Sequence, residues 1–315
     1  MISLKRLSLS MFAALFVIAC AAPYASAQTP PAVRVPRPSQ KASVMQTIGV
    51  TDLTITYHRP GVKGRTIWGD PWGPNAASEA TLDNQNERPK GAPIVPWGHV
   101  WRAGANDATQ FVVTDDVLVN GQKLPAGSYS LHAIPTKEEW TLVFNGTANQ
   151  WGSFNYDPKK DTLRVKTKPQ WVNENQEWLS YSIPEVTPNT AKVVLRWEKV
   201  AVPFTVEVPN VTAAFRAKAD ALMAANPTNE VLPLQTATYY SSEKNFDEAL
   251  NLVDRSIKIK ETFRNLSAKA NILWSAGKKA EALAAADVAI AKGKADKVDT
   301  TNFEKRVADM KAGKL

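Results

Sequence analysis

The sequence predicts an α+β protein with its two classes of structure segregated along the chain: an antiparallel β-sandwich or jelly-roll-like domain over residues 42–208, then an all-α domain of helical hairpins over residues 209–315. Two observations predict this order. In the first half apolar side chains alternate with period two, and turn residues interrupt the alternation at short intervals. After Pro209 alanine, lysine, glutamate and leucine recur at helical spacing. A length of 315 residues is sufficient for about two domains.

The first 27 residues have the pattern of a secretory signal peptide. Lys5 and Arg6 form the charged start, residues 7–19 the apolar core, and residues 25–27 a small-residue cleavage site. A bacterial lipobox at residues 17–20 is the alternative, in which Cys20 is acylated and becomes the new N-terminus. Both alternatives predict a periplasmic or extracellular protein that meets a membrane only through its signal peptide or a lipid on Cys20.

A proline-rich stretch follows the leader. Residues 28–41 hold four prolines, which disfavour a helix and cannot donate hydrogen bonds to a sheet. We therefore expect an extended tether before the first strand.

Ten segments of the first half are predicted to be strands, with mainly antiparallel pairing because no helical pattern separates them. Asn120-Gly121 predicts a two-residue hairpin, since this pair readily takes positive φ angles. Residues 70–96 contain five prolines and few apolar side chains, which predicts a long surface loop. The predicted strands are residues 43–49, 52–58, 109–114, 116–119, 128–134, 139–145, 162–168, 177–183, 191–198 and 201–208.

The second half begins with a predicted helix over residues 211–225 that docks directly on the sandwich. Asn210 can cap its N-terminus, and no flexible spacer separates the helix from the last strand. Phe215, Ala219 and Leu222 share one face of the helix. We therefore expect Phe215 and Leu222 to be buried against the repeats or the sheet.

An internal repeat with an offset of 33 residues occupies about residues 229–294. Ala237 and Tyr240 in the first unit correspond to Ala270 and Leu273 in the second. The pattern resembles the tetratricopeptide repeat, whose period is about 34 residues. Two units are fewer than a free-standing array needs, which predicts capping helices at residues 211–225 and 299–313. A generic helical bundle is the alternative.

Six phrases of the first half, taken together, point to one family. They are residues 36–39 (PRPS), 57–65 (YHRPGVKGR), 100–109 (VWRAGANDAT), 124–129 (LPAGSY), 139–141 (EWT) and 151–158 (WGSFNYDP). Their order and spacing resemble the bacterial envelope family catalogued as domain of unknown function 2911, over about residues 36–208. The resemblance implies a β domain of the bacterial envelope and brings no established reaction, ligand or catalytic residue.

Residues 101–107 concentrate the richest local chemistry of the chain. Trp101 offers a π face and Arg102 a guanidinium, while Asn106 and Asp107 place an amide beside a carboxylate. Such a set could hold a sugar or a carboxylate by stacking and forked hydrogen bonds, and a structural turn with Trp101 in the core is the alternative. The remaining candidate ligand-binding residues are His132, Arg59 and Arg65. Arg59 and Arg65 belong to a basic Pro-Gly loop, which forms either an anion site or a solvated loop.

The three histidines suggest an enzymatic alternative. His58, His99 and His132 lack the HxH or HxxxH spacing of metal ligands, so we predict no metal and no cofactor, with convergence of all three and a carboxylate on one metal ion as the alternative. An envelope hydrolase could nevertheless use His99 or His132 with Asp107. Nine of the ten tryptophans precede Pro209, which admits a third hypothesis, a carbohydrate-binding module that stacks sugars on tryptophans.

Composition excludes several function classes. The single cysteine excludes disulfide frameworks, CxxC redox chemistry and cysteine zinc sites. A net charge of +8 is small for nucleic-acid binding, and no GxSxG, Walker or dinucleotide-binding phrase occurs. We therefore predict an exported, non-enzymatic binding or scaffolding protein. Its sandwich would hold a small molecule or a carbohydrate, and its helices would present a concave surface to a protein partner.

Overall fold

The computed structural model describes residues 35–72 and 89–315. The predicted signal peptide, both processing sites with Cys20, much of the tether and most of the 70–96 loop lie outside the described residues. Residues Pro38–Leu315 form one compact unit. Among the helices described, none is long and apolar enough to cross a membrane.

Strands make up the first half and helices the second, so the predicted α+β class with segregated halves is confirmed. The strands are β1 (Gln40–Ile48), β2 (Thr51–Arg59), β3 (Trp68–Gly69), β4 (Val95–Pro96), β5 (Thr109–Val113), β6 (Val117–Val119), β7 (Gln122–Leu124), β8 (Gly127–Pro135), β9 (Trp140–Asn145), β10 (Asp161–Thr167), β11 (Gln170–Val186) and β12 (Thr190–Glu207). The helices are α1 (Val211–Ala225), α2 (Val231–Ser242), α3 (Phe246–Ile259), α4 (Phe263–Ser275), α5 (Lys279–Ala295) and α6 (Thr301–Lys311).

Two antiparallel sheets share one apolar core. The larger has the strand order β1-β2-β5-β8-β9-β10 and the smaller β11-β12-β6-β7, while β3 and β4 form a short parallel pair. Alternate side chains of each strand face inward, as the period of two predicts. Ile55 on β2 and Phe204 on β12 belong to the same buried cluster, so the core lies between the sheets.

The structure corrects the strand boundaries in two places. Residues 191–198 and 201–208, predicted as two strands, are parts of the single strand β12, and residues 177–183 are only the middle of β11. The irregularity within β12 is a residue in the left-handed region, Glu198, with φ of 52°. Pairing to β11 continues on both sides of Glu198, which is why the strand bends there without ending.

The hairpin at Asn120-Gly121 is as predicted, whereas the end of the 70–96 loop is not. Asn120 and Gly121 have φ angles of 46° and 79°. Val95 and Pro96, placed in the loop by the sequence analysis, are buried and pair with β3 as β4. The prediction was wrong because it took proline as a sign of a loop. Pro96 lies at the end of a short edge pairing, where a strand residue need not donate a hydrogen bond.

The two helical hairpins α2–α3 and α4–α5 close in the same way. Lys244 and Gly277, 33 residues apart, both have positive φ angles, of 60° and 78°. The residue that follows each one donates a backbone hydrogen bond to an equivalent carbonyl, Asn245 to Tyr240 at 2.9 Å and Lys278 to Leu273 at 3.0 Å. Equivalent turns at the repeat offset show that the repetition in sequence is a repetition in structure.

Small residues of the repeat lie where the helices approach closely. The alanines at the repeat positions, Ala237, Ala249, Ala270 and Ala282, are completely buried. A larger side chain at any of these positions would push the paired helices apart.

Helix α1 is capped and docked as predicted, but the buried face is rotated. The Asn210 side chain accepts a hydrogen bond from the Ala213 amide at 2.8 Å. Ala219 and Met223 are the buried residues, and Leu222 is 53% exposed, so the predicted burial of Leu222 is wrong. Helix α2 packs against the side of α1 that carries Phe215, and the ring centroids of Phe215 and Tyr239 are 4.0 Å apart. This contact turns the face formed by Phe215, Ala219 and Met223, at i, i+4 and i+8, toward α2.

Candidate functional site

The first loop of the candidate site, residues 101–108, begins at Trp101, which lies in the core between the two sheets. Trp101 exchanges two backbone hydrogen bonds of 2.8 Å with Ala133. This pairing extends that of β8 past the first residue of β5. The buried indole of Trp101 donates to the Gly104 carbonyl at 3.1 Å. A Cβ on Gly104 would lie 2.8 Å from Thr109 Oγ1 and 3.3 Å from the His58 carbonyl oxygen. Only glycine therefore lets this loop rest on β2 at His58.

A second loop, residues 146–157, is tied to the first by backbone hydrogen bonds. The Ala108 amide donates to the Gln150 carbonyl at 2.9 Å, and the Gly152 amide donates to the Asn106 carbonyl at 2.9 Å. Asp107 and Trp151 form an isolated antiparallel bridge between these two bonds. The loops thus hold each other in a fixed arrangement.

The two loops and the strands β1, β2 and β5 enclose a pocket of about 300 Å³, here called the His58 pocket. His58 Nε2 lies 3.7 Å from Asp107 Oδ2 at the pocket wall. The wall also contains the ammonium of Lys41, the indole of Trp151 and three side-chain amides. The polar and aromatic lining residues are Lys41, Thr56, His58, Asp107, Gln110, Asn149, Gln150 and Trp151.

A buried polar network lies behind Gln150. The Gln150 amide donates to Ser130 Oγ at 2.9 Å and to the Thr147 carbonyl at 3.2 Å, and its nitrogen is 3.3 Å from His132 Nε2. Ser130 Oγ lies 3.1 Å from the same His132 nitrogen, and both residues are completely buried. His132 therefore supports the pocket through Gln150 and does not line it.

A tyrosine on the 146–157 loop covers the other side of His132. The Tyr156 ring lies 5.0 Å from the imidazole, and its hydroxyl donates to Asp161 at 2.7 Å. Burial, together with the hydrogen bond to Asp161, raises the pKa of Tyr156, so the phenol stays protonated and donates. Arg164 bonds both Tyr156 and Asp161, which links the loop to β10.

Four of the predicted ligand-binding residues line a different pocket, of about 270 Å³: Arg65, Trp101, Arg102 and Asn106. Their polar groups bond to the protein itself. Arg102 donates to the Asn106 carbonyl at 2.8 Å, the Asn106 amide to the Ser39 carbonyl at 3.0 Å, and Arg65 to the Val62 carbonyl at 3.1 Å. These bonds favour the structural alternative for this phrase, and its ligand-binding role stays a prediction.

The remaining predicted residues separate into distinct environments. Arg59 donates to the Leu179 carbonyl at 2.8 Å and so fastens β2 to β11. His99 is completely buried. Asp107 faces His58, and not His99 or His132 as the hydrolase hypothesis expected. In residues 35–72 and 89–315 no group of three or more histidine, cysteine or acidic side chains could hold a metal ion.

Sequence reasoning missed most of the His58 pocket. Gln110, Asn149 and Gln150 belong to none of the motifs, and they and Trp151 meet His58 only because two loops close on each other. The one available signal was the pair of phrases at 100–109 and 151–158, whose ends meet as the Asp107–Trp151 bridge.

The region that holds both loops also identifies the family. The family described as "Protein of unknown function (DUF2911)" matches residues 39–206, more than half of the 315 residues. The chain belongs to the DUF2911 family. The DUF2911 match includes the His58 pocket and ends before α1, and the tetratricopeptide likeness of the helices stays a prediction. No curated protein and no solved structure matches the chain.

Proposed function

We propose that the DUF2911 region is a binding domain that holds a small polar ligand in the His58 pocket. One observation carries the proposal: a pocket of about 300 Å³ brings opposite charges, Lys41 and Asp107, together with amides and an indole. A pocket of this size is at the lower end of the range of about 300–1,000 Å³ usual for small-molecule sites. The opposite charges favour a neutral or zwitterionic molecule that both donates and accepts hydrogen bonds.

The rigidity of the pocket supports a binding role. Backbone bonds on both sides of the Asp107–Trp151 bridge hold the two loops together, so little conformational entropy is lost when a ligand enters. Trp151 is 49% exposed although its backbone is fixed. A ligand would cover this indole face and gain contact area at low entropic cost.

A thermal-shift panel of amino acids, dipeptides, monosaccharides and sugar acids tests the proposal. We expect at least one compound to raise the melting temperature of the wild-type chain and of Phe154→Ala, whose exposed ring lies on the same loop outside the pocket lining. Trp151→Ala and Asp107→Asn should lose the shift. A compound that stabilises the wild type and Trp151→Ala equally would contradict binding in this pocket.

A hydrolase is the second candidate, because His58 lies within 3.7 Å of the Asp107 carboxylate. In that case His58 would act as the general base and Asp107 would orient it and stabilise its charged form. A chromogenic ester and peptide panel tests this. Turnover that disappears in both His58→Asn and Asp107→Asn, and persists in His99→Asn, would favour the enzyme over the binding domain.

We propose that the protein is exported and that its helices bind a protein partner outside the cytoplasm. The charged start and apolar core of the leader support export, and the two closely packed hairpins support a repeat surface. N-terminal analysis of the protein from its native host tests export. A chain that begins at Gln28 would indicate signal-peptide cleavage after Ala27. A chain that begins at an acylated Cys20 would indicate lipobox processing, and an intact leader would contradict both.

A further inference from the structure

We propose a second binding site, separate from the His58 pocket, which takes a neutral oligosaccharide. It is a cleft of about 490 Å³ beside the β3–β4 pair, lined by the adjoining indoles of Trp97 and Trp171, here called the tryptophan cleft. Its volume lies well within the range of about 300–1,000 Å³ that ligand sites occupy. The two sites have no lining residue in common.

The first aromatic wall of the cleft is anchored in the core. Trp97 stacks on Trp68 with ring centroids 6.1 Å apart and an interplanar angle of 12°. Trp68 in turn contacts Trp101, Trp140 and Trp197 edge to face, at 5.6, 5.2 and 5.6 Å. These three core indoles hold Trp68 in place, so Trp97 stacks on a rigid support.

The second wall is an indole that is both exposed and fixed. Trp171 on β11 is 53% exposed, and its ring stands at 74° to that of Trp97, with centroids 6.3 Å apart. Its indole nitrogen donates to the Lys137 carbonyl at 3.3 Å. Exposing a large apolar ring to water is unfavourable, and holding it in one orientation prepares it to stack against the C–H face of a sugar ring.

An irregular stretch of backbone brings the polar groups to these walls. Trp171 pairs with Val200 and Gln176 with Glu198, so residues 172–175 of β11 oppose Lys199 alone on β12. Glu198, at the inner end of this bulge, has a φ of 52°, which is rare for a side chain other than glycine, asparagine or aspartate. Bulges and strained residues of this kind occur next to functional sites, and this one places Asn175 and Glu198 in the cleft.

The charges in the cleft balance, which selects a neutral ligand. Its four charged side chains are two cations, Arg65 and Lys137, and two anions, Asp70 and Glu198. A polyanion or a polycation would meet repulsion from one pair. The Asn175 amide and the two carboxylates can bond the hydroxyl groups of a sugar, while the indoles take its apolar face. A saccharide combines these two properties in one ring.

Trp178 provides a matched control on the same strand. It is 40% exposed, similar to Trp171, but it lies outside the cleft and the Lys63 ammonium lies over its ring at 5.5 Å. Its replacement removes an exposed indole without altering the proposed site.

Calorimetric titration of the full chain with cellohexaose and chitohexaose, and with a sulfated heparin hexasaccharide for comparison, tests the proposal. We expect millimolar or tighter binding of at least one neutral hexasaccharide and weaker binding of the sulfated one. Trp171→Ala should raise the Kd about tenfold or more, as loss of a central aromatic contact does, and Trp178→Ala should leave it unchanged.

Two further variants keep the result decisive. Trp171→Phe retains a smaller aromatic face and should restore part of the affinity, and Trp151→Ala, which alters the His58 pocket, should bind the hexasaccharide as the wild type does. No binding of either neutral hexasaccharide would overturn the proposal, as would equal affinity in Trp171→Ala. Loss of binding in Trp151→Ala alone would move the sugar to the His58 pocket and would also overturn it.

Discussion

At the scale of single residues, Asn145 is the side chain that shapes the 146–157 loop. It is completely buried at the end of β9. Its amide donates to the Asp157 carbonyl at 2.9 Å and to Asp161 Oδ1 at 2.8 Å, and its oxygen accepts from the Thr147 amide at 3.0 Å. Asn145 also begins an Asn-Gly-Thr glycosylation sequence, but in the folded chain its side chain is buried.

Replacing Asn145 by alanine should loosen this loop and the pocket that it covers. The substitution removes three hydrogen bonds and leaves their buried partner groups without a hydrogen bond. We therefore expect a loss of about 2–3 kcal/mol in the free energy of unfolding. Urea denaturation measures it. Asn155→Ala, an exposed residue on the same loop, is the control and should change the stability by less than about 0.5 kcal/mol. Equal effects of the two variants would show that the Asn145 bonds do not hold the loop.

Gly49 makes the turn between β1 and β2, and it meets α1. Its φ is 60°, and a Cβ at this position would lie 2.5 Å from Val211 Cγ1. Gly49→Ala should therefore destabilise the chain by about 2 kcal/mol or more, through left-handed strain and overpacking together. Gly121 also has a positive φ, but a Cβ at this position would meet no atom within 4 Å. Gly121→Ala therefore measures the backbone strain alone, which should lower the free energy of unfolding by about 1 kcal/mol. If Val211→Ala does not relieve part of the Gly49→Ala loss, the steric contribution is refuted.

At the scale of elements, the contact between α1 and the sandwich depends on Lys218. Its ammonium donates to the Val50 carbonyl at 2.6 Å and lies 2.8 Å from Asp115 Oδ2. Burial by itself raises the pKa of Asp115. Hydrogen bonds from Lys218 and Thr114, together with the positive charge of Lys218, outweigh burial and hold that pKa below its usual 3.8.

The depressed pKa predicts how acid affects this contact. A group with a lower pKa in the folded state stabilises the fold above its unfolded pKa, and this stabilisation is lost as the pH falls through the folded value. Lys218→Met should lower the free energy of unfolding by about 1 kcal/mol at neutral pH. The loss is small because water screens this partly exposed ion pair. Urea denaturation from pH 7 to below 3.8 should show the gap between the wild type and Asp115→Asn closing at the acid end. A gap that is constant with pH would exclude the charge as its cause.

At the scale of the whole molecule, the sandwich and the helices belong to one compact unit, Pro38–Leu315. The Asn210 cap starts α1 directly after β12, and Val211 packs against the sandwich core. Farther along α1, Phe215 packs against the cluster of α2 and α3. One helix therefore joins both cores, and we expect the two halves to unfold together.

Phe215→Ala tests this cooperation. The ring packs on Tyr239 at 4.0 Å and is partly buried, so its loss should destabilise the chain by about 2 kcal/mol. Calorimetry should show a single transition at a lower temperature for the whole chain. Leu222→Ala, on the exposed side of the same helix, should leave the transition where it is. Two separate transitions, with the sandwich unaffected, would mean that the halves are tethered modules.

Features that depend on neighbouring residues along the chain were predictable from the sequence. The Asn210 cap, the Asn120-Gly121 hairpin, the alternation of the strands and the 33-residue helical repeat each arise from local backbone preference or from one periodic face. The limits of α1 were also predictable, since a cap and an Asn-Pro pair bound it.

Contacts between residues far apart in the sequence were not predictable, because they depend on how the folded elements pack. His58 faces Asp107, Trp97 meets Trp171, and Met223 is buried where Leu222 was expected. Each contact depends on the register of a sheet, the closure of a loop or the angle of a neighbouring helix. None of these leaves a local pattern, because they are set by the packing of the whole core, whereas a residue's own preference reaches only a few positions along the chain.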